Sequence, residues 1–272
     1  MMNQEPDESN VSQDPKFPNE AERRRRGIYL LPNALTTAAL FSGFYAVVQA
    51  MNGKFELAAI AIFIALVLDG LDGRVARLTN TQSAFGEQYD SLSDMTSFGV
   101  APALVAYEFA LSGLGRWGWL AAFVYVAGAA LRLARFNTNI GVVDKRFFQG
   151  LPSPAAAALV AGFVWLVQDN RLNLGDGWLA WTMFVITLYA GSSMVSNAPF
   201  YSGKSFALTR SVPFWVILLL VLGFVFVSSD PPVVLFGLFI LYGLSGWVIW
   251  LWRVRKARLS NFKTPNKPPS KP

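Results

Sequence analysis

Long apolar runs limit the folds that this chain can adopt. Several approach the ~20 residues that a helix needs to cross a bilayer, and turn-forming residues separate them, as at Asn52-Gly53. Of the 272 residues, 53% are hydrophobic and only 15% are charged. The pattern predicts an all-α, polytopic membrane bundle of about eight transmembrane helices. The predicted spans are residues 30–50, 55–78, 90–111, 117–137, 152–168, 178–195, 211–229 and 232–252.

The basic residues predict how these spans are oriented. If the run Arg23-Arg24-Arg25-Arg26 is cytoplasmic, only Lys54, Arg116 and Arg171 fall in outer loops, which leaves 20 of the 23 basic residues on one face. Cytoplasmic loops carry such an excess, so both termini are predicted to be cytoplasmic. Because the charges flank apolar spans, the net charge of +6 favours membrane lipid over nucleic acid as the partner.

Two polar tails enclose the predicted spans. Residues 1–26 and 253–272 have no apolar periodicity and are expected to be disordered, basic and cytoplasmic. Between them, residues 27–204 are predicted to form a core of six spans, and residues 205–252 two additional transmembrane helices.

The chain contains neither cysteine nor histidine. This composition excludes disulfides, thiolate nucleophiles and imidazole bases. Any acid–base chemistry must therefore be carried out by Asp, Glu, Lys or Tyr.

One acidic stretch lies between two apolar runs. It reads DGLDGRVARLTNTQSAFGEQYDSLSD and contains Asp69, Asp72, Asp90 and Asp94. Helical spacing places the first two on one face of a helix and the last two on one face of the next helix. Carboxylates at the edge of a membrane span are costly unless cations neutralise them. Two divalent ions would balance the charge, and oxygen ligands favour magnesium, calcium or manganese.

The depth of this stretch follows from the run before it. Residues 57–68 are twelve apolar residues in succession, or about 18 Å of helix. Asp69 therefore lies in the cytoplasmic half of the ~30 Å hydrocarbon core. A turn around Thr79–Ser83 returns the chain to the same depth, so we expect the site to open toward the cytoplasm, where lipid headgroups lie.

Three further residues accompany the carboxylates. Gly73 and Gly86 each cost roughly 1 kcal/mol relative to alanine inside a helix, and both fall on the acidic face, where a missing side chain lets a ligand approach. Tight helix packing is the alternative explanation for either glycine alone. Arg77 lies one turn beyond Gly73 and could bind a phosphate with two parallel hydrogen bonds.

At these positions the sequence resembles the CDP-alcohol phosphotransferase family. The family signature is Asp-x-x-Asp-Gly-x-x-Ala-Arg, eight residues, then Gly-x-x-x-Asp-x-x-x-Asp. Every fixed position is present in this chain: Asp69, Asp72, Gly73, Ala76, Arg77, Gly86, Asp90 and Asp94.

The resemblance implies a role for each site residue. Asp69, Asp72 and Asp90 are expected to bind divalent metal, Mg²⁺ or Mn²⁺ and two ions, while Asp94 completes the metal site and acts as the general base. The residues expected at the CDP-lipid are Gly73, Arg77, Ser83, Gly86 and Asn33. A homodimer in the cytoplasmic membrane is also implied by the family alone.

Other stretches resemble the integral-membrane phosphatidylserine synthases of this family. They are LPNALTTAALFSGFYAV at 31–47, RLARFN at 132–137, FFQGLPSPAAAA at 147–158 and MVSNAPFYSGK at 194–204. This resemblance implies transfer of a phosphatidyl group from CDP-diacylglycerol to the hydroxyl of L-serine, giving phosphatidylserine and CMP. The candidates for binding the serine carboxylate are Arg132, Arg135, Arg146 and Lys204, although each could instead serve only topology.

Two alternatives stay open at the level of sequence. The same chemistry could use another acceptor alcohol, such as glycerol 3-phosphate, an inositol phosphate or choline. A divalent-cation transporter would also place carboxylates within the membrane, but Arg77 beside the acidic face opposes the passage of cations.

Overall fold

The computed structural model describes residues 20–138, 147–172, 174–202 and 214–263, and within these ranges nine α-helices form a bundle. The helices are α1 Glu20–Met51, α2 Phe55–Leu78, α3 Ala84–Asp94, α4 Ala101–Phe109, α5 Arg116–Thr138, α6 Ser153–Gln168, α7 Asp176–Val195, α8 Phe214–Ser229 and α9 Pro231–Lys263. A short sheet, absent from the sequence prediction, pairs β1 Phe147–Gln149 antiparallel with β2 Pro199–Tyr201.

Four of these helices are long and apolar enough to cross a membrane, among the residues described: Leu31–Met51, Arg116–Thr138, Gly177–Val195 and Pro231–Lys256. This is consistent with a helical membrane protein. The sequence predicted eight spans, and helices occupy the other four predicted positions too. Two of those, Ser153–Gln168 and Phe214–Ser229, are apolar but shorter. The remaining two predicted spans, residues 55–78 and 90–111, each carry two of the four aspartates of the acidic stretch.

The predicted breaks between helices coincide with observed turns. Asn170, at the break after α6, has a φ of 55°, and Asn80, between α2 and α3, has a φ of 52°. Asparagine tolerates this left-handed conformation better than most residues. The turn expected at Thr79–Ser83 is therefore confirmed.

Both predicted tails are too long. Helix α1 begins at Glu20 and α9 continues to Lys263, so residues 20–26 and 253–263 are helical, not disordered as predicted. The physical reason is that Ala, Glu, Arg and Lys are good helix formers, and an adjoining apolar helix already supplies the costly nucleus. The rest of each predicted tail, residues 1–19 and 264–272, lies outside the described residues.

A π-helical segment at Met95–Val100 joins α3 to α4 directly after Asp94, and the sequence did not predict it. The Tyr125 hydroxyl donates to the Phe98 carbonyl oxygen at 3.1 Å within this segment. On the opposite side, Ser97 Oγ donates to the Ala39 carbonyl oxygen of α1 at 3.2 Å. Such segments are frequent at functional sites, and here it is fixed by both α1 and α5.

Helix α6 lies at the centre of the bundle, in contact with α2, α4, α7 and α9. Residues 155–164 are buried without interruption. Most of these side chains are alanine or valine, and small side chains let neighbouring helices approach closely.

Side-chain contacts show which turns share one end of the bundle. Phe63, near the start of α2, packs on Trp165, near the end of α6, with a centroid distance of 5.8 Å. Arg171 Nη2, after α6, lies 3.2 Å from Asp230 Oδ2, between α8 and α9. The turns before α2, after α6 and before α9 therefore lie together. The acidic stretch lies at the opposite end, since α2 runs the length of the bundle to reach it.

Candidate active site

The corner between α2 and α3 brings the two acidic faces together. Ser83 is the N-cap of α3, and its Oγ accepts a hydrogen bond from the Gly86 backbone N–H at 3.0 Å. This satisfies one of the free N–H groups at the helix start. Because the cap fixes where α3 begins, it also fixes which side chains of α3 face α2.

Three carboxylates converge at this corner. One carboxylate oxygen from each of Asp69, Asp72 and Asp90 lies within 4.8 Å of the other two. The carboxyl group of Asp94 is within hydrogen-bonding distance of that of Asp69. The geometry predicted from helical spacing is thus present, with three aspartates in one group and the fourth beside it.

The chemistry of this group fits a divalent cation. Asp90 Oδ1 and Asp94 Oδ1 are both buried and have no hydrogen-bond partner. Buried polar atoms almost always have partners, and unpaired carboxylate oxygens are costly unless a cation compensates them. Oxygen-only donors are the ligands that Mg²⁺ and Mn²⁺ prefer. Asp69, Asp72, Asp90 and Asp94 are therefore suited to hold such ions.

Helix α1 contributes a residue that the sequence prediction missed. Thr36 Oγ1 donates to Asp72 Oδ2 at 2.6 Å, and the Thr36 carbonyl oxygen accepts from Ser93 Oγ at 3.2 Å. Asp72 is only 4% exposed, so this hydrogen bond is shielded from water. The sequence does contain a signal for Thr36, because it is a polar residue in an apolar span, three positions after Asn33.

A cavity of about 290 Å³ lies beside the carboxylates. Asp72 and Asp90 form part of its wall. The lining also includes every residue predicted to contact the CDP-lipid: Asn33, Gly73, Arg77, Ser83 and Gly86. Asn33 of α1 and Gly86 of α3 are 53 positions apart, yet they line the same space.

The two glycines of the signature have different surroundings. A Cβ on Gly86 would lie 3.1 Å from Ser83 Oγ and 3.5 Å from Asn33 Oδ1, whereas one on Gly73 would lie 3.5 Å from Arg77 Nη1. Gly86 therefore keeps the cavity wall open where α1 and α3 meet. Gly73 lets the Arg77 side chain lie along α2. No carboxylate is within salt-bridge distance of Arg77 in the described part of the chain.

The basic residues predicted to bind the acceptor are only partly brought together. Arg132 points inward, where its Nη1 donates to Ser153 Oγ at the start of α6, and it interacts electrostatically with Asp94 and Asp69. Arg135 instead bonds Asn197 Oδ1 at 3.3 Å at the surface. The other two candidates, Arg146 and Lys204, lie outside the described residues.

Comparison with known proteins identifies the family. Residues 29–191 match the model described as CDP-alcohol phosphatidyltransferase. The CDP-diacylglycerol–serine O-phosphatidyltransferase of Helicobacter pylori is 36% identical over 228 residues, 84% of this chain and 94% of that protein. The protein of the same name from Mycobacterium leprae is 38% identical, over 64% of this chain and 58% of its own length. That of Methanocaldococcus jannaschii is 34% identical, over 66% of this chain and 79% of its own length. A site built on the signature aspartates and a match over most of the chain agree that this protein belongs to the CDP-alcohol phosphatidyltransferase family.

Proposed function

We propose that the protein transfers the phosphatidyl group of CDP-diacylglycerol to the hydroxyl of L-serine, giving phosphatidylserine and CMP. The observation that carries this proposal is the likeness to the Helicobacter pylori enzyme over 94% of its length. The convergence of Asp69, Asp72 and Asp90 beside a cavity of headgroup size supports it independently.

Asp94 is the proposed general base. Its carboxylate accepts the proton of the serine hydroxyl, and the serine oxygen forms a bond to the phosphorus of the phosphatidyl group. The bond from that phosphorus to the bridging oxygen of the pyrophosphate breaks, and CMP leaves with the electron pair. The buried Asp94 Oδ1, which has no hydrogen-bond partner, is available to accept this proton. A positioned base of this kind contributes about 10²–10⁴ in rate.

The proposed cofactor is a pair of divalent ions, Mg²⁺ or Mn²⁺, held by Asp69, Asp72, Asp90 and Asp94. When bound, such ions polarise the phosphoryl oxygens and stabilise the leaving group. We expect removal of divalent ions with EDTA to abolish CMP release, and added Mg²⁺ or Mn²⁺ to restore it. Full activity after exhaustive chelation would contradict the metal assignment.

The cavity is the proposed site of the CDP headgroup. Arg77, which lines the cavity, would bind phosphate oxygens, and Gly73, Gly86, Ser83 and Asn33 would contact the nucleotide. Ser83 Oγ already accepts from Gly86, but its hydroxyl proton is free of that bond and can be donated to a ligand.

We also propose the complete topology of eight spans, with both termini and the active site facing the cytoplasm. The chain has no cysteine, so single introduced cysteines give a clean test with a membrane-impermeant maleimide. Lys54→Cys is expected to label in intact cells, and Arg74→Cys only after lysis. The opposite pattern would overturn the orientation. The proposed homodimer is testable by light scattering on the purified protein.

An acceptor panel tests the substrate assignment. CMP release from CDP-diacylglycerol would be measured on purified protein with L-serine, glycerol 3-phosphate, inositol phosphate and choline. We expect release with serine only. Release with another alcohol and none with serine would replace serine as the acceptor, while release with no alcohol would overturn the transferase proposal. Metal-dependent flux through liposomes without CDP-lipid would instead favour transport.

A further inference from the structure

Helix α9 lies beyond the residues that match the family model, 29–191, yet it is closely fitted to the active-site end. A Cβ on Gly246 would lie 2.4 Å from Cζ of Phe200 in β2, so the ring of Phe200 packs directly against the backbone of α9. Trp247 Nε1 donates to Ser193 Oγ of α7 at 3.1 Å. These contacts fix α9 relative to β2 and α7 at the end of the bundle that carries the aspartates.

The segment that includes α7 and β2 also sets the position of Ser153, at the start of α6. Gly150 N–H donates to the Ala198 carbonyl oxygen and Leu151 N–H to the Ser193 carbonyl oxygen, both at 2.9 Å. Gly150 has a φ of 81°, and a Cβ there would lie 2.2 Å from the Met194 carbonyl oxygen. The chain therefore enters α6 along one fixed path, which ends at the fully buried Ser153.

Arg132 is held by Ser153 and not by the carboxylates. Its guanidinium interacts electrostatically with Asp94 and Asp69, but among the described residues it forms no salt bridge with either. Its Nη1 donates to Ser153 Oγ instead. An arginine beside two carboxylates would ordinarily form a bidentate pair, so this hydrogen bond keeps the guanidinium apart from them.

Tyr242 joins α9 to β2. Its hydroxyl donates to the Tyr201 carbonyl oxygen at 3.1 Å, and its ring packs on Phe200 with a centroid distance of 5.8 Å. β2 pairs with β1, the strand that leads into α6, so Tyr242 helps to fix the path of the chain that ends at Ser153. Ser153 thus binds the guanidinium directly, and Tyr242 supports the segment that carries Ser153.

We propose that Ser153 and Tyr242 are positioning residues that hold Arg132 ready for the carboxylate of the acceptor, so that α9 is part of the site that selects the alcohol. This inference rests on the proposed transfer to serine. If either residue is lost, the guanidinium can move toward Asp94 and Asp69, and the space for the acceptor is reduced. The cost then falls on acceptor binding and not on the CDP-lipid, because Arg132, Ser153 and Tyr242 do not line its cavity.

The test compares three variants of the full-length enzyme. Ser153→Ala should raise KM for serine roughly tenfold, as expected for losing a hydrogen bond to a charged group, and Tyr242→Phe should raise it about threefold. KM for CDP-diacylglycerol should not change. Tyr189→Phe is the matched control, because Tyr189 also donates from α7 to a backbone carbonyl of α9, that of Gly243 at 2.7 Å. It should leave both KM values unchanged.

A binding measurement separates positioning from general damage to the fold. In the presence of CMP and Mg²⁺, serine should raise the melting temperature of the wild type and of Tyr189→Phe, and less so that of the other two variants. Unchanged KM for serine in both Ser153→Ala and Tyr242→Phe, or an equal change in Tyr189→Phe, would overturn this inference alone. Absence of serine turnover in the wild type would overturn it together with the proposed function.

Discussion

The hydroxyl of Thr36 donates to Asp72 Oδ2 at 2.6 Å, across 36 positions of sequence. This hydrogen bond joins the first span to the candidate active site, because it holds a carboxylate that α2 carries. Asp72 is buried, and partners that orient a metal ligand typically affect metal affinity as well as stability.

Thr36→Val keeps the shape of the side chain and removes the hydroxyl. We expect the Mg²⁺ concentration that gives half-maximal activity to rise about 10–100-fold. Thr37→Val is the matched control, since Thr37 bonds Tyr89 and the Asn33 carbonyl oxygen but no aspartate. An unchanged metal requirement in Thr36→Val would show that this hydrogen bond does not orient a ligand.

Asp94→Asn tests the general base. The amide cannot take the serine proton, so we expect CMP release to fall by at least about 10², while CDP-diacylglycerol binding and the elution volume in size exclusion stay close to wild type. Turnover would be measured with saturating serine and Mg²⁺. Substantial activity in this variant would mean that another group accepts the proton.

Arg77→Lys tests phosphate binding in the cavity. A lysine keeps the charge but replaces a planar fork by a point charge, so KM for CDP-diacylglycerol should rise roughly tenfold, with KM for serine unchanged. Arg74→Lys on the same helix is the control, because Arg74 is exposed and does not line the cavity. Equal effects of the two changes would argue against a specific role for Arg77.

Gly86→Ala tests whether the cavity wall must lack a side chain. The added Cβ would face Ser83 Oγ at 3.1 Å, so we expect a several-fold rise in KM for CDP-diacylglycerol. Gly70→Ala is the comparison, since no atom lies within 4 Å of its Cβ position. That change should leave activity intact and stabilise α2 by up to about 1 kcal/mol. Normal lipid affinity in Gly86→Ala would assign Gly86 to packing alone.

Much of the fold could be predicted from the sequence because its causes are local. Apolar runs, turn residues and the twelve apolar residues before Asp69 indicated a helical membrane protein and the corner between α2 and α3. The helical ends at Glu20 and Lys263 were not predicted, because their stability comes from the helix to which each is joined. The π-helical segment after Asp94 depends on Tyr125 of a distant helix, which no local pattern records.

The candidate site also has features that follow from local sequence and features that depend on distant contacts. Periodicity placed Asp69 and Asp72 on one helix face and Asp90 and Asp94 on another, and the resemblance to the family implied which residues hold the metal and the CDP-lipid. The sequence offered Arg132 and Arg135 alike as candidates for binding the serine carboxylate, but only Arg132 turns toward the aspartates. That difference depends on Ser153, whose position is set by strands and helices from three parts of the chain.

The sequence by itself determined which groups are the candidates for the chemistry: four aspartates at helical spacing, an arginine and two glycines in one short stretch. Only the tertiary structure decided what surrounds them. It placed Thr36 on Asp72, Ser153 on Arg132 and Tyr242 of α9 on the Tyr201 carbonyl oxygen of β2. The reason is physical: helical periodicity is a property of neighbouring residues, whereas a hydrogen bond between distant helices depends on how the whole bundle packs.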